Sequence, residues 1–101
     1  MINIDILKNY EGLYYVSIKV DDNIFMLDEE VSNLLNLTID EYMKICSKYG
    51  ARIFCGSIYF NKKYKCENFI ENEIKARLDV IDSKVVLFKL IDSYLEQLNV
   101  N

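Results

Sequence analysis

Residues 27–60 read LDEEVSNLLNLTIDEYMKICSKYGARIFCGSIYF, and this stretch decides the fold. Val31, Leu34 and Leu35 recur at i, i+3, i+4, which predicts one face of a helix over 29–37. Asp28 stands where an N-cap belongs, and Glu29 and Glu30 suit the positive end of a helix dipole. Asn36 then offers the left-handed conformation that a sharp turn between helices requires. Thr38 followed by Glu41 is a capping box that opens a second helix. That helix directs Ile39, Tyr42, Met43, Ile45 and Cys46 inward and stops at Gly50, the favoured residue after a helix end. Cys55-Gly56 separates two short apolar runs, 51–54 and 57–60, as a two-residue hairpin turn would.

In order, these residues resemble the excisionase and MerR-type winged helix–turn–helix. Ser32 matches the small residue midway along that family's first helix. Leu34, Leu35, Asn36, Leu37 and Thr38 follow its pattern of apolar pair, turn residue, apolar residue and cap. Gly50 ends the second helix, Gly56 centres the wing, and a further helix starts after Asn61. The resemblance covers about 45 of the 101 residues and implies a small α+β domain that can bind DNA. On that reading Lys44 and Lys48 lie along the recognition helix, while Arg52, Lys62, Lys63 and Lys65 flank the wing and hold phosphates. Two positions depart from the family. Asn36 replaces a usual Gly, and Ile39, Asp40 and Glu41 replace the polar or basic residues that meet DNA.

The rest of the chain frames this stretch as part of a single domain, 1–101, with a β-hairpin region at 1–26, the winged helix–turn–helix-like core at 27–70 and two C-terminal helices within 64–98. Ile2, Ile4 and Ile6 alternate with Asn3 and Asp5 as in a half-buried strand. Residues 9–12 turn the chain, and Tyr14, Val16, Ile18 and Val20 share one face of a second, antiparallel strand. Asp21 and Asp22 mark a solvated turn before a third short strand at 24–26. Cys66, Phe69, Ile70, Ile74, Leu78 and Ile81 fall on one stripe of a helix over 64–81, with Glu71 and Lys75 at a favourable i,i+4 spacing. A last helix is expected at 84–98, although the run 85–88 also reads as a strand; its wide apolar stripe suits core packing or a homodimer.

Charge is sectored. Residues 1–37 carry a net −5, residues 38–65 a net +4 and residues 66–101 a net −3 within an overall −4. The basic block favours a polyanion-facing surface at the second helix and wing. No apolar run is long enough for a membrane span, the first residues lack the pattern of a signal peptide, and the expected location is the cytoplasm. The abundance of Ile, Asn, Lys and Tyr is that of AT-rich coding, which suggests a low-GC bacterium or its phage.

Catalysis needs a nucleophile or base with an orienting partner. The chain has no His, no Gly-rich phosphate loop and no Ser in a nucleophile elbow, so a non-enzymatic protein without cofactor or metal is expected. Cys46, Cys55 and Cys66 read as reduced, mostly buried thiols, not as zinc ligands. Two binding functions follow. The favoured one is a protein-binding inhibitor or regulator that keeps the fold and has lost the DNA face. Its contacts are Asp40, Glu41, Tyr14, Tyr15 and Tyr59, with Tyr10 and Tyr64 also exposed. In size and charge the chain is similar to small phage-encoded inhibitors of host defence, anti-CRISPR proteins among them. The alternative is a DNA-binding regulator of excisionase type. Two carboxylates at the start of the recognition helix would repel phosphates, and this places the protein partner ahead of DNA.

Overall fold

A computed structural model describes residues 1–78. The helix expected at 84–98, the alternative strand at 85–88 and the dimer role lie outside the described residues. The element order is β1 (Ile2–Lys8), β2 (Tyr14–Val20), β3 (Asn23–Phe25), α1 (Asp28–Leu34), α2 (Ile39–Lys48), β4 (Arg52–Phe54), β5 (Ser57–Tyr59), α3 (Lys63–Phe69), a π-helical turn (Ile70–Ile74) and α4 (Lys75–Leu78). It is an α+β arrangement of two antiparallel sheets, ordered β1-β2-β3 and β4-β5, with helices packed against them.

The alternation in β1 and β2 builds the larger sheet. Ile2 pairs with Val20, Ile4 with Ile18 and Ile6 with Val16, so one face is continuously apolar. Val16, Ile18 and Val20 are buried there, and Asn3, Asp5 and Lys19 face water. Asn9 turns the chain through its own side chain, whose Oδ1 accepts the Glu11 and Leu13 amides at 3.1 and 2.8 Å. Backbone bonds from Asp21 to Met1 and from Asn9 to Leu13 show which β2 residues bond toward β1. By the antiparallel alternation, Tyr14, Val16, Ile18 and Val20 then present their backbone to the other side. There β3 pairs with residues 18–20, and Phe60 exchanges two 2.8 Å bonds with Tyr14. This single bridge fastens the β4–β5 hairpin to the edge of β2.

Both early helices end in a Schellman motif, and both were legible from one residue. After α1, Asn36 adopts φ +61, its amide bonds the Asn33 carbonyl, and Leu37 bonds the Ser32 carbonyl. After α2, Gly50 at φ +88 bonds Ser47, and Ala51 bonds Cys46. Thr38 and Glu41 close the capping box in both directions, at 3.1 and 3.0 Å. Cys55 and Gly56, at φ +50 and +81, give the hairpin turn its primed geometry.

Four expectations are corrected in detail. Helix α1 is shorter than 29–37, and its cap is Leu27, with Asp28 the first helical residue. The Leu27 amide is satisfied by Glu30 Oε1 at 3.0 Å, and the Asp28 carboxylate is engaged elsewhere. The third strand begins one residue early and ends at Phe25. Ile39 is not a buried residue but 38% exposed: it shares the Tyr42–Cys46 stripe, but it is the first residue of α2, at the helix end. The helix expected over 64–81 begins at Lys63 and, within the described residues, contains a π turn. Ile70 and Ile74 are both in the core, and the Tyr49 hydroxyl donates to Glu73 Oε2 at 2.9 Å. Arg77 holds the same carboxylate at 3.0 Å.

Phe69 is the hub of the core. It is 0% exposed and its ring meets those of Phe60, Tyr42 and Tyr49 at 5.4, 5.9 and 5.9 Å. Cys46 and Cys66 are buried in the same core, and burial pushes both thiols up to about 12. At neutral pH both therefore stay in the unreactive thiol form. Cys55 is exposed in the hairpin turn. Brief maleimide treatment should therefore add one label per native chain, at Cys55, and three only in denaturant. Mass spectrometry of the intact protein checks this, and rapid triple labelling of the native state would contradict the packed core.

Candidate functional site

The register of the β4–β5 hairpin sorts its side chains. Arg52 pairs with Tyr59 and Phe54 with Ser57, so these four share one face, while Ile53 and Ile58 share the other. Ile58 closes the core, but Ile53 extends beyond it and is 60% exposed. On the outer face Tyr59 packs edge-on against Tyr15 of β2 at 5.7 Å and against Phe54 at 6.3 Å. The result is an aromatic ridge, Tyr15–Tyr59–Phe54, running from the large sheet onto the hairpin.

A hollow lies on each side of Tyr59. One, of about 220 Å³, is lined by Tyr15, Met26, Leu27, Asp28, Ser57 and Ile58 as well as Tyr59. The other, of about 270 Å³, is walled by Leu13, Ile53, Phe54 and Tyr59, with Gly50, Arg52, Asn61 and Lys65. Met26, Leu27 and Phe54 are 44, 65 and 40% exposed. Large apolar side chains this accessible, grouped on one ridge and its margins, are what docking surfaces present.

Asp28 holds this face together. Its Oδ2 accepts the Ile58 amide at 2.9 Å, on the edge of β5 that does not pair with β4. Burial raises its pKa above the usual carboxylate value, against the lowering influence of that amide, and Glu29 adds to the rise. A carboxyl raised on folding stabilises the fold fully below its unfolded pKa of 3.8, and that contribution is lost as pH rises through the folded value. Glu41 acts in the opposite sense. The Thr38 backbone amide holds its pKa below the usual value, so its contribution is present above 4.5 and lost on acidification. Asp28→Asn keeps an acceptor for Ile58 but removes the titration. The stability of the wild type relative to this variant should therefore fall as pH rises from 3.8 through the raised pKa, as read from urea midpoints. A flat difference would contradict the burial of Asp28.

The residues expected for protein contact are divided by the structure. Tyr15 and Tyr59 come together in the ridge. Tyr14 is half-buried on the inner face of β2, beneath Lys8, whose Nζ is 5.5 Å from the ring centroid. Tyr10 and Tyr64 are exposed, the one between β1 and β2 and the other in α3. Asp40 is exposed on α2, whereas the Glu41 carboxylate is committed to its cap. Sequence reading missed Met26, Leu27, Ile53 and Phe54. A signal existed: adjacent Ile53 and Phe54 cannot both face one core from a strand of period two.

Of the residues expected for DNA contact, Lys44 and Lys48 form an exposed stripe with Asp40 on α2. Lys48 also suits the negative end of that helix. Lys62 and Lys63 are exposed at the start of α3, as its cap and its first residue. Arg52 and Lys65 meet in the larger hollow. Arg52 Nη1 donates to the Ala51 carbonyl at 2.9 Å, and Lys65 Nζ donates to Asn61 Oδ1 at 3.2 Å. Lys65 lies across Gly50, where an added Cβ would come within 3.0 Å of its stem. Both acidic residues of the 38–65 block stand at the start of α2, so residues 42–65 carry six cations and no carboxylate.

No helix of the described residues is long and apolar enough to cross a membrane, and none of their His, Cys, Asp and Glu side chains form a group of three or more suited to a metal ion. No known protein family, characterised protein or solved structure matches the chain.

Proposed function

We propose that the protein is a non-enzymatic binding protein that docks on a protein partner through the outer face of the β4–β5 hairpin. The observation that carries this reading is the Tyr15–Tyr59–Phe54 ridge with exposed Met26 and Leu27 beside it, and with Ile53 bordering the larger hollow from the hairpin's other face. Aromatic anchors flanked by apolar hollows supply most of the energy at protein interfaces. The order α1, turn, α2, hairpin supports a winged helix–turn–helix scaffold on which the wing has become the docking element. A partner bound by so small a chain is acted on by occlusion, which fits an inhibitor or regulator, phage-encoded and cytoplasmic as the composition suggests.

DNA binding is the second reading, and the six cations of residues 42–65 favour it. Against it, Asp40 and Glu41 stand where a recognition helix meets phosphates. The test is a mobility-shift assay on mixed duplex DNA at low and moderate salt, with the Lys62→Glu/Lys63→Glu variant alongside. The protein-docking reading expects no salt-sensitive complex. A complex that weakens steeply with salt and is lost in the variant would replace it with the DNA reading.

A further inference from the structure

Resting on the protein-docking reading, we infer that the partner segment seated on this face is acidic: it sets a carboxylate between Arg52 and Lys65 and an apolar side chain against Leu27. The larger hollow is built for an anion. Its two cations converge on one cavity with aromatic walls. Each is held by a neutral group, Arg52 by a backbone carbonyl and Lys65 by Asn61, and no carboxylate among the described residues forms an ion pair with either. Gly50 admits the Lys65 stem across its backbone, which restricts the ammonium before any ligand arrives. Residues 42–65 carry six cations and no acid, and an arginine beside aromatic rings suits a planar carboxylate.

The other hollow asks for something different. Met26, Leu27 and Tyr15 line it, Asp28 lies among them, and the exposed Glu29 and Glu30 follow in the first turn of α1. A strand of nucleic acid carries a charge at every link and would bring phosphates toward these carboxylates. A peptide places one anion and one apolar group separately, and so satisfies both hollows at once.

The test is selection of random peptides from a display library on the full chain, repeated on Arg52→Gln/Lys65→Gln, with fluorescence anisotropy of labelled oligo(dT) at low salt in parallel. The expected result is enrichment of peptides pairing Asp or Glu with an aliphatic or aromatic residue. A selected peptide should bind the double variant about tenfold or more weakly, and Arg52→Lys/Lys65→Arg should restore most of the loss. Circular dichroism establishes that each variant is folded, and Arg52→Gln alone, at an exposed position, gives the same reading without touching Lys65. Enrichment of neutral or basic peptides would overturn the acidic anchor and leave the docking face standing. Oligo(dT) binding that the double variant loses, with no peptide enriched, would overturn both in favour of nucleic acid. Enrichment of nothing, with no oligo(dT) binding, would overturn both outright.

Discussion

Phe69→Ala is expected to lower the unfolding free energy by about 3–5 kcal/mol, the cost typical of removing a buried aromatic ring. The ring is fully buried and is the common neighbour of Tyr42, Tyr49 and Phe60, which come from α2, the end of α2 and the strand that bridges to β2. Removing it leaves a cavity at the point where helices and both sheets meet. Alanine is the better helix former, so α3 itself gains slightly and the whole loss is packing. For a domain whose total stability is of order 5–15 kcal/mol, this is a large fraction. A urea titration with unchanged slope and a midpoint shifted strongly downward is the expected reading. A loss under about 1 kcal/mol would mean that the three rings close over the gap and that Phe69 is not the hub.

Ile53→Ser with Phe54→Ser is expected to abolish partner binding, by about a hundredfold or more, while costing little stability. Ile53 and Phe54 are both exposed, and among the described residues the ring contact given up is that of Phe54 with Tyr59. Such a contact is worth about 0.5–1.5 kcal/mol beyond its burial. Lys44→Glu with Lys48→Glu changes charge on α2 without touching the ridge and should leave protein binding within a few-fold of wild type. Isothermal titration against a purified partner, or quantitative co-purification from expressing cells, separates the two variants. Equal loss in both, or loss only in the lysine pair, would move the site from the hairpin to α2.

The elements legible in the sequence were those set by neighbours within four residues. Thr38 with Glu41, Asn36, Gly50 and Cys55-Gly56 each carry a local geometric demand, and the backbone meets it at every one. The alternation of Ile2, Ile4 and Ile6 likewise fixes which face of β1 packs inward. Asp28 was misjudged for the opposite reason. Its partner is the Ile58 amide, thirty residues away, and nothing near Asp28 announces that an unpaired strand amide needs an acceptor there. The π turn was also invisible, because one widened turn shifts the apolar stripe by less than a residue.

The site followed the same division. Tyr15, Tyr59, Arg52 and Lys65 could be named from residue type, but only the Tyr14–Phe60 bridge brings Tyr15 beside Tyr59. Met26 and Leu27 sit at a strand-to-helix junction, outside either periodicity, where exposure depends on how the hairpin swings past them. Glu41, expected at an interface, is explained by its cap alone.

The most direct measurement is photo-crosslinking from within the proposed face. Phe54 would be replaced by benzoylphenylalanine in one chain and Lys44 in another, each expressed in cells and irradiated. The docking account predicts a discrete protein adduct from position 54 and none from position 44. Crosslinks to nucleic acid from position 44, with position 54 silent, would contradict it and return the function to the helix.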